Sequence, residues 1–166
     1  MRSILRAALA LAVAVSGTTE AAGDSGMRFL AKQNQSMQMV IEKLDPDLVR
    51  SGANQEAIRD QVELAMRRCG FGMDSSGLAS ALALVVVHGL SEKGTGYSGA
   101  ALLQVTTPTI VDGETVFVDT FTRVGIFSGP PGSAGTQVRN ILGQLLDQFC
   151  NSYSQARDKV RAKTKK

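Results

Sequence analysis

Ala81-Leu82-Ala83-Leu84-Val85-Val86-Val87 is a run of seven residues without a polar side chain, ending at the chain's one histidine, His88. The run is too short for a useful helix, and its β-branched end favours a strand. A strand that is apolar on both faces belongs inside a sheet, with something packed on each side. The central strand is read over about Leu78–His88, and the remaining elements are its neighbours.

Upstream, Met37, Met39 and Ile41 alternate with Gln38, Val40 and Glu42, which predicts a strand from Ser36 to Leu44. Leu44-Asp45-Pro46-Asp47-Leu48 ends it, because Pro46 cannot donate to a ladder. Asn54 is the expected cap of a helix over Gln55–Cys69, with Ile58, Val62, Ala65, Met66 and Cys69 on one face. Glu56 and Asp60 near its start and Arg67 and Arg68 near its end suit the helix dipole, and Gly70 stops it. Downstream, a polar Ser91–Gly96 connection leads to a strand over Tyr97–Val105, with Thr109–Val111 still able to pair. Asp112-Gly113 is a strong hairpin signal. Its partner, Glu114–Phe127, alternates throughout: Phe117, Asp119, Phe121, Arg123, Gly125 and Phe127 on one face, valines, threonines and Ile126 on the other. Gly129-Pro130-Pro131-Gly132 breaks that strand. Ser133 is the expected cap of a second helix with Val138, Ile141, Leu142, Leu145, Leu146, Phe149, Cys150 and Tyr153 as its stripe, fading near Arg157.

The expected fold is therefore α+β, ordered β-α-β-β-β-α, with a four-stranded, mostly antiparallel sheet and two helices on one face. A β-α-β crossover makes the first two strands parallel, and hairpins then reverse direction twice. The two helices run parallel, which brings Cys69 and Cys150 toward the same end. A disulfide between them is the default in an oxidising compartment; the alternative is two buried thiols acting as small hydrophobes.

The leader bears on compartment. Arg2 and Arg6 precede an unbroken apolar run, Ala7–Val15, and small and polar residues follow. That is the three-part pattern of a secretory signal peptide over residues 1–21, with cleavage after Ala21 or Gly17. The run is far short of the ~20 residues that cross a bilayer. Periplasmic or secreted localisation follows. Residues 22–36 read as a flexible segment, 37–156 as a single α+β domain and 157–166 as a basic tail. With six Phe, two Tyr and no Trp, the core must be mainly aliphatic. Residues 22–156 carry 10 basic and 13 acidic side chains, while Arg157–Lys166 carry six basic and one acidic. A slightly acidic body argues against a nucleic-acid partner. The tail could touch an anionic membrane surface, but a solvated helix end is the simpler reading.

Chemical motifs are weak. Gly94-Thr95-Gly96-Tyr97-Ser98-Gly99 matches G-x-G-x-x-G but leads into a strand, whereas pyrophosphate binding needs a helix N-terminus there. In Gly89–Thr95, Lys93 precedes the glycine of a phosphate loop instead of following it. Gly96-Tyr97-Ser98-Gly99 lacks the spacing of a nucleophile elbow. His88 is read as a structural histidine ahead of a catalytic base. One histidine and no Cys-x-x-Cys disfavour zinc, and Asp45-Pro46-Asp47 reads as a turn ahead of an ion site. Asn34-Gln35-Ser36 matches a glycosylation acceptor. No catalytic, metal or cofactor residue is assigned.

Ile41-Glu42-Lys43-Leu44-Asp45-Pro46-Asp47, Asp60-Gln61-Val62-Glu63-Leu64 with Arg68-Cys69-Gly70-Phe71, and Val138-Arg139 with Leu146-Asp147-Gln148-Phe149-Cys150-Asn151-Ser152-Tyr153 resemble a group of small exported bacterial proteins. In that group a Leu-x-Pro-Asp turn, a Val-Glu-x-x-Leu-Arg helix end and a Val-Asp-x-Phe-x-x-x-Tyr closing helix recur. The resemblance spans about residues 37–155. It implies a periplasmic home and this fold, and no activity. Cys69 and Phe149-Cys150 depart from the pattern, so the cysteine pairing is not carried over.

Two helices cover one side of a sheet, yet the central strand is apolar on both. The bare side marks a binding surface. The expected function is a non-enzymatic binding or accessory protein of the cell envelope, its partner an envelope protein or a second copy held on the open sheet face. The alternatives are a small-ligand carrier or enzyme using a helix–sheet pocket or the Ser91–Gly96 loop, and a membrane-surface protein attached by the basic tail.

Overall fold

A computed structural model of the chain describes residues 19–32, 36–73, 81–92, 96–130 and 132–164. In chain order these form α1 (Thr19–Lys32), β1 (Ser36–Ile41), α2 (Pro46–Arg50), α3 (Gln55–Arg68), β2 (Gly72–Met73), β3 (Ala81–Glu92), β4 (Gly96–Val111), β5 (Glu114–Gly129) and α4 (Ala134–Thr164). The class is α+β. The sheet is mixed and five-stranded, in the order β2-β1-β3-β4-β5. β1 pairs in parallel with β2 and β3, and β3-β4-β5 is an antiparallel meander. The apolar run occupies β3, between β1 and β4, as its composition requires.

Three elements go beyond the four strands and two helices expected. β2 is a two-residue strand laid along the start of β1 (Ser36↔Gly72), too short to announce itself by alternation. α2 starts at Pro46, which sits at the first helical position, where its missing N–H costs nothing; the proline opens a helical turn as well as closing a strand. Over residues 22–32, α1 stands in place of the expected flexible segment. Met27 and Leu30 are buried in the core at 3% and 1% exposure. Gly26 lets the helix reach β5: a Cβ there would lie 2.9 Å from Thr120 Cα.

α3 follows its sequence closely. The Asn54 side chain accepts hydrogen bonds from the Glu56 and Ala57 N–H groups at 2.8 and 3.1 Å, and Ile58, Val62 and Met66 are buried. α4 buries Val138, Leu142, Leu145, Leu146, Phe149, Tyr153 and Ala156. It continues to Thr164, past the point where the tail was expected to fray. Ser133 precedes it, but the Ser133 hydroxyl donates to Pro130 O at 2.9 Å and lies 3.1 Å from the Tyr97 hydroxyl. α4 packs closely on the sheet at Gly125, where a Cβ would lie 2.3 Å from Ile141 Cγ1.

The Asp112-Gly113 turn joins β4 to β5 with both residues at positive φ, 53° and 85°, the conformation of a two-residue hairpin. β4 runs unbroken through Pro108, whose partner is Phe117. The register shifts at Val105/Thr106, where Thr120 is an extra residue in β5. Its hydroxyl donates to Val105 O at 2.9 Å, inside the core. This bulge overturns the expected grouping of the phenylalanines. Phe121, Gly125 and Phe127 face the helices, whereas Asp119 and Phe117 turn to the other side, because one inserted residue reverses the alternation beyond it.

Cys69 and Cys150 form a disulfide with Cα atoms 5.4 Å apart, 81 residues apart in sequence. It ties the end of α3 to the middle of α4, beside the ring cluster of Phe71, Phe149 and Tyr153 (Phe71–Tyr153 centroids 4.5 Å apart). Reduction, or the double substitution C69S/C150S, is expected to cost roughly 4–5 kcal/mol by the chain-entropy model for a loop of this length. Urea denaturation with and without reductant measures it. Leu30→Ala is expected to cost about 2–5 kcal/mol because Leu30 is a core residue; a value within about 0.5 kcal/mol in the same titration would mean that α1 is not docked.

Candidate docking face

Where β3 runs beside β4, the strands sort by burial. Ala81, Ala83, Val85 and Val87 of β3, Ala101, Leu103 and Val105 of β4, and Phe121 and Phe127 of β5 are at most 6% exposed, and all belong to the core with the helices. The intervening residues form the reverse side of the sheet. Leu82, Leu84 and Val86 on β3 and Ala100 and Leu102 on β4 are partly exposed there. On β5, Val124 is 52% and Ile126 78% exposed. Among the described residues no helix packs against this side.

The register places these side chains side by side. Val86 opposes Leu102, and Leu102 opposes Val124; Ala100 lies between His88 and Ile126. The result is a continuous aliphatic strip across three strands. Beyond Thr106, the last partner of β3, the β4–β5 hairpin projects past the sheet and carries exposed Ile110 and Phe117 on the same side. The bulge at Thr120 is what turns Phe117 this way.

Charge is confined to the rim. Among the described side chains on this face of the strands, Asp119 is the one formal charge, and it accepts a 2.6 Å hydrogen bond from the Gln104 amide. Arg123 is turned to the helix side, its guanidinium 5.4 Å from the centre of the Phe121 ring. His88 stands at another corner. Its Nδ1 is 3.3 Å from Asp45 Oδ2 and its Nε2 3.9 Å from Glu42 Oε2. The same Asp45 oxygen accepts the Gly89 N–H at 3.1 Å. Asp45 thus fastens the β1–α2 connection to β3, and His88 is held in that fastening while 61% exposed.

The other sequence candidates are dispersed. Gly96 and Gly99 lie in β4, which runs on as a strand, so the G-x-G-x-x-G match has no helix N-terminus behind it. Asp47 pairs with Arg50 within α2 and is not joined to Asp45 in a common site. Among the described residues no group of His, Cys, Asp and Glu is arranged to hold a metal ion. A cleft at the starts of α3 and α4, lined by Gly52, Ala53, Asn54, Ile58, Gly135 and Val138, has a volume of about 20 Å³. That is room for one water, far from the ~300 Å³ or more of a small-molecule site. Gly17, Asn34, Lys93, Gly94 and Thr95 lie outside the described residues. No described helix is long and apolar enough to cross a membrane.

No family model matches the chain, and no curated protein matches it. Among solved structures, a minor lipoprotein from Acinetobacter baumannii is similar over 74% of this chain and 92% of its own, with 12% identity and a TM-score of 0.44. The rare lipoprotein B from Shewanella oneidensis is similar over 78% of this chain and 96% of its own, with 6% identity and a TM-score of 0.28. At these identities and scores neither likeness bears on function or assembly.

Proposed function

We propose that this protein is exported and acts in the cell envelope as a binding or accessory protein, docking through the outer face of β3, β4 and β5 without covalent chemistry. The observation that carries the reading is the aliphatic strip Leu82-Leu84-Val86, Leu102 and Val124-Ile126, which no described helix covers while the described helices serve the opposite side. Leaving such a surface in water forgoes roughly 25 cal/mol for each Å² of apolar area. A contiguous apolar patch of this kind typically marks an interaction site. Export is read from the charged start and the Ala7–Val15 run, and a disulfide suits an oxidising compartment.

A photo-reactive amino acid in place of Val124, in the full chain expressed with its own leader, is expected to give cross-linked products in the envelope fraction. The same group in place of Asp147, on the exposed side of α4, is the comparison. Equal yields from the two positions, or none from Val124, overturn the docking reading. Mass spectrometry of the exported form is expected to find Thr18 or Ala22 as its first residue; an intact leader overturns export.

A further inference from the structure

We infer that the occupant of the outer sheet face is a second copy of this chain, packed face to face across a two-fold axis. The inference rests on the docking reading above and names the partner for it.

Three observations select a second copy over a foreign protein. The first is composition. The strip is built of Leu, Val, Ile and Ala, and Phe117, beyond the Gln104–Thr122 and Thr106–Asp119 pairs, is the one aromatic among the described side chains of this face. Transient interfaces between different proteins are enriched in Tyr, Trp, Met and Arg, whereas homodimer interfaces are more purely apolar, like a core cut in half. The second is charge. A foreign partner is selected by a pattern of opposite charges; among the described side chains of the strands this face carries Asp119, already hydrogen-bonded to Gln104, with Glu42 beside His88 at the corner. A surface that must meet itself needs the absence of like charges at its centre, and that is what it has. Asp119 lies at the Leu82 end of β5 and His88 toward the opposite end of β3. Stacking two copies with their strands roughly antiparallel keeps each Asp119 away from its counterpart.

The third is area. Val40, Leu90, Ile110, Phe117, Val124 and Ile126 are 47–78% exposed on this side, and Leu82, Leu84, Val86 and Leu102 add their partly exposed tips. Together these come to several hundred Å², on the order of the ~800 Å² per partner of a stable interface. Two such sheets stacked about 10 Å apart, with strands within about 30° of alignment, form a sandwich. The helices then lie outside on both flanks, and the apolar run of β3 is covered on its second face. Closed two-fold pairs are also the commonest assembly of soluble chains.

The test uses the purified exported form and sedimentation velocity across a micromolar concentration series. The parent is expected to sediment as a dimer. Ile126→Lys places a charge within the stacked faces, on the edge strand β5, and is expected to raise the dimer dissociation constant by about 30-fold or more. Its far-ultraviolet dichroism and urea midpoint show whether it folds as the parent does, and Val124→Thr provides a milder second variant expected to weaken the dimer in the same direction. A photo-reactive amino acid at Leu102 separates face from edge. β4 is paired on both sides by β3 and β5, so a Leu102 adduct to the outer-face residues of a second copy supports stacking, and a dimer without that adduct overturns it. A parent that remains monomeric while Val124 still captures a different envelope protein overturns the second copy and leaves the docking reading standing. A monomer with no adduct from Val124 overturns both.

Discussion

The architecture depends on the described helices directing their buried apolar stripes to one side of the sheet. α4 lies along β4 and β5, α3 covers β1 and β2, α1 reaches β5, and Leu48 of α2 meets β3. Their buried side chains and the inward residues of the strands form one cluster. A helix presents a single apolar stripe and a strand presents two faces, so a chain with this allocation covers its sheet once. The bare reverse side is a consequence of that allocation.

Close approach and cross-linking hold the covered side together. Ile141 of α4 sits where a side chain on Gly125 would be, which lets the helix lie low on β5 and brings Phe149 against Phe121, ring centroids 5.2 Å apart. With few aromatic residues available, they are concentrated: Phe71, Phe121, Phe149 and Tyr153 meet in one cluster near the disulfide. The bond joins α3 to α4 where both pack on the sheet, and shortens the loops open to the unfolded chain.

The bulge at Thr120 serves both sides of the sheet. On the inner side its extra residue brings Thr120 into the core and to the point where Gly26 admits α1. On the outer side it reverses the alternation, so that Phe117 is exposed on the same side as the aliphatic strip, past the Thr106–Asp119 pair. One inserted residue therefore anchors the N-terminal helix and lengthens the exposed face.

The sequence by itself determined the α+β class, the placement of β3 inside the sheet, the Asn54-capped helix, the Asp112-Gly113 hairpin and the stripe of α4. Each is set by neighbours within a turn or two: Asn54 caps N–H groups two and three residues on, and Asp112-Gly113 supplies the positive φ angles a tight turn needs. It also showed that β3 is apolar on both faces. Tertiary structure alone decided the rest. Met27 and Leu30 are too few to mark a helix by period; α1 is held by β5 and α4, distant in sequence. The bulge arises from the pairing of β4 with β5, so strict alternation along β5 put Phe117 on the wrong side. β2 exists because the chain leaving α3 lies beside β1, and the meeting of Asp45 with His88 needs two strands in register. Local signals are written in local residues, whereas these contacts depend on where distant parts of the chain come to rest.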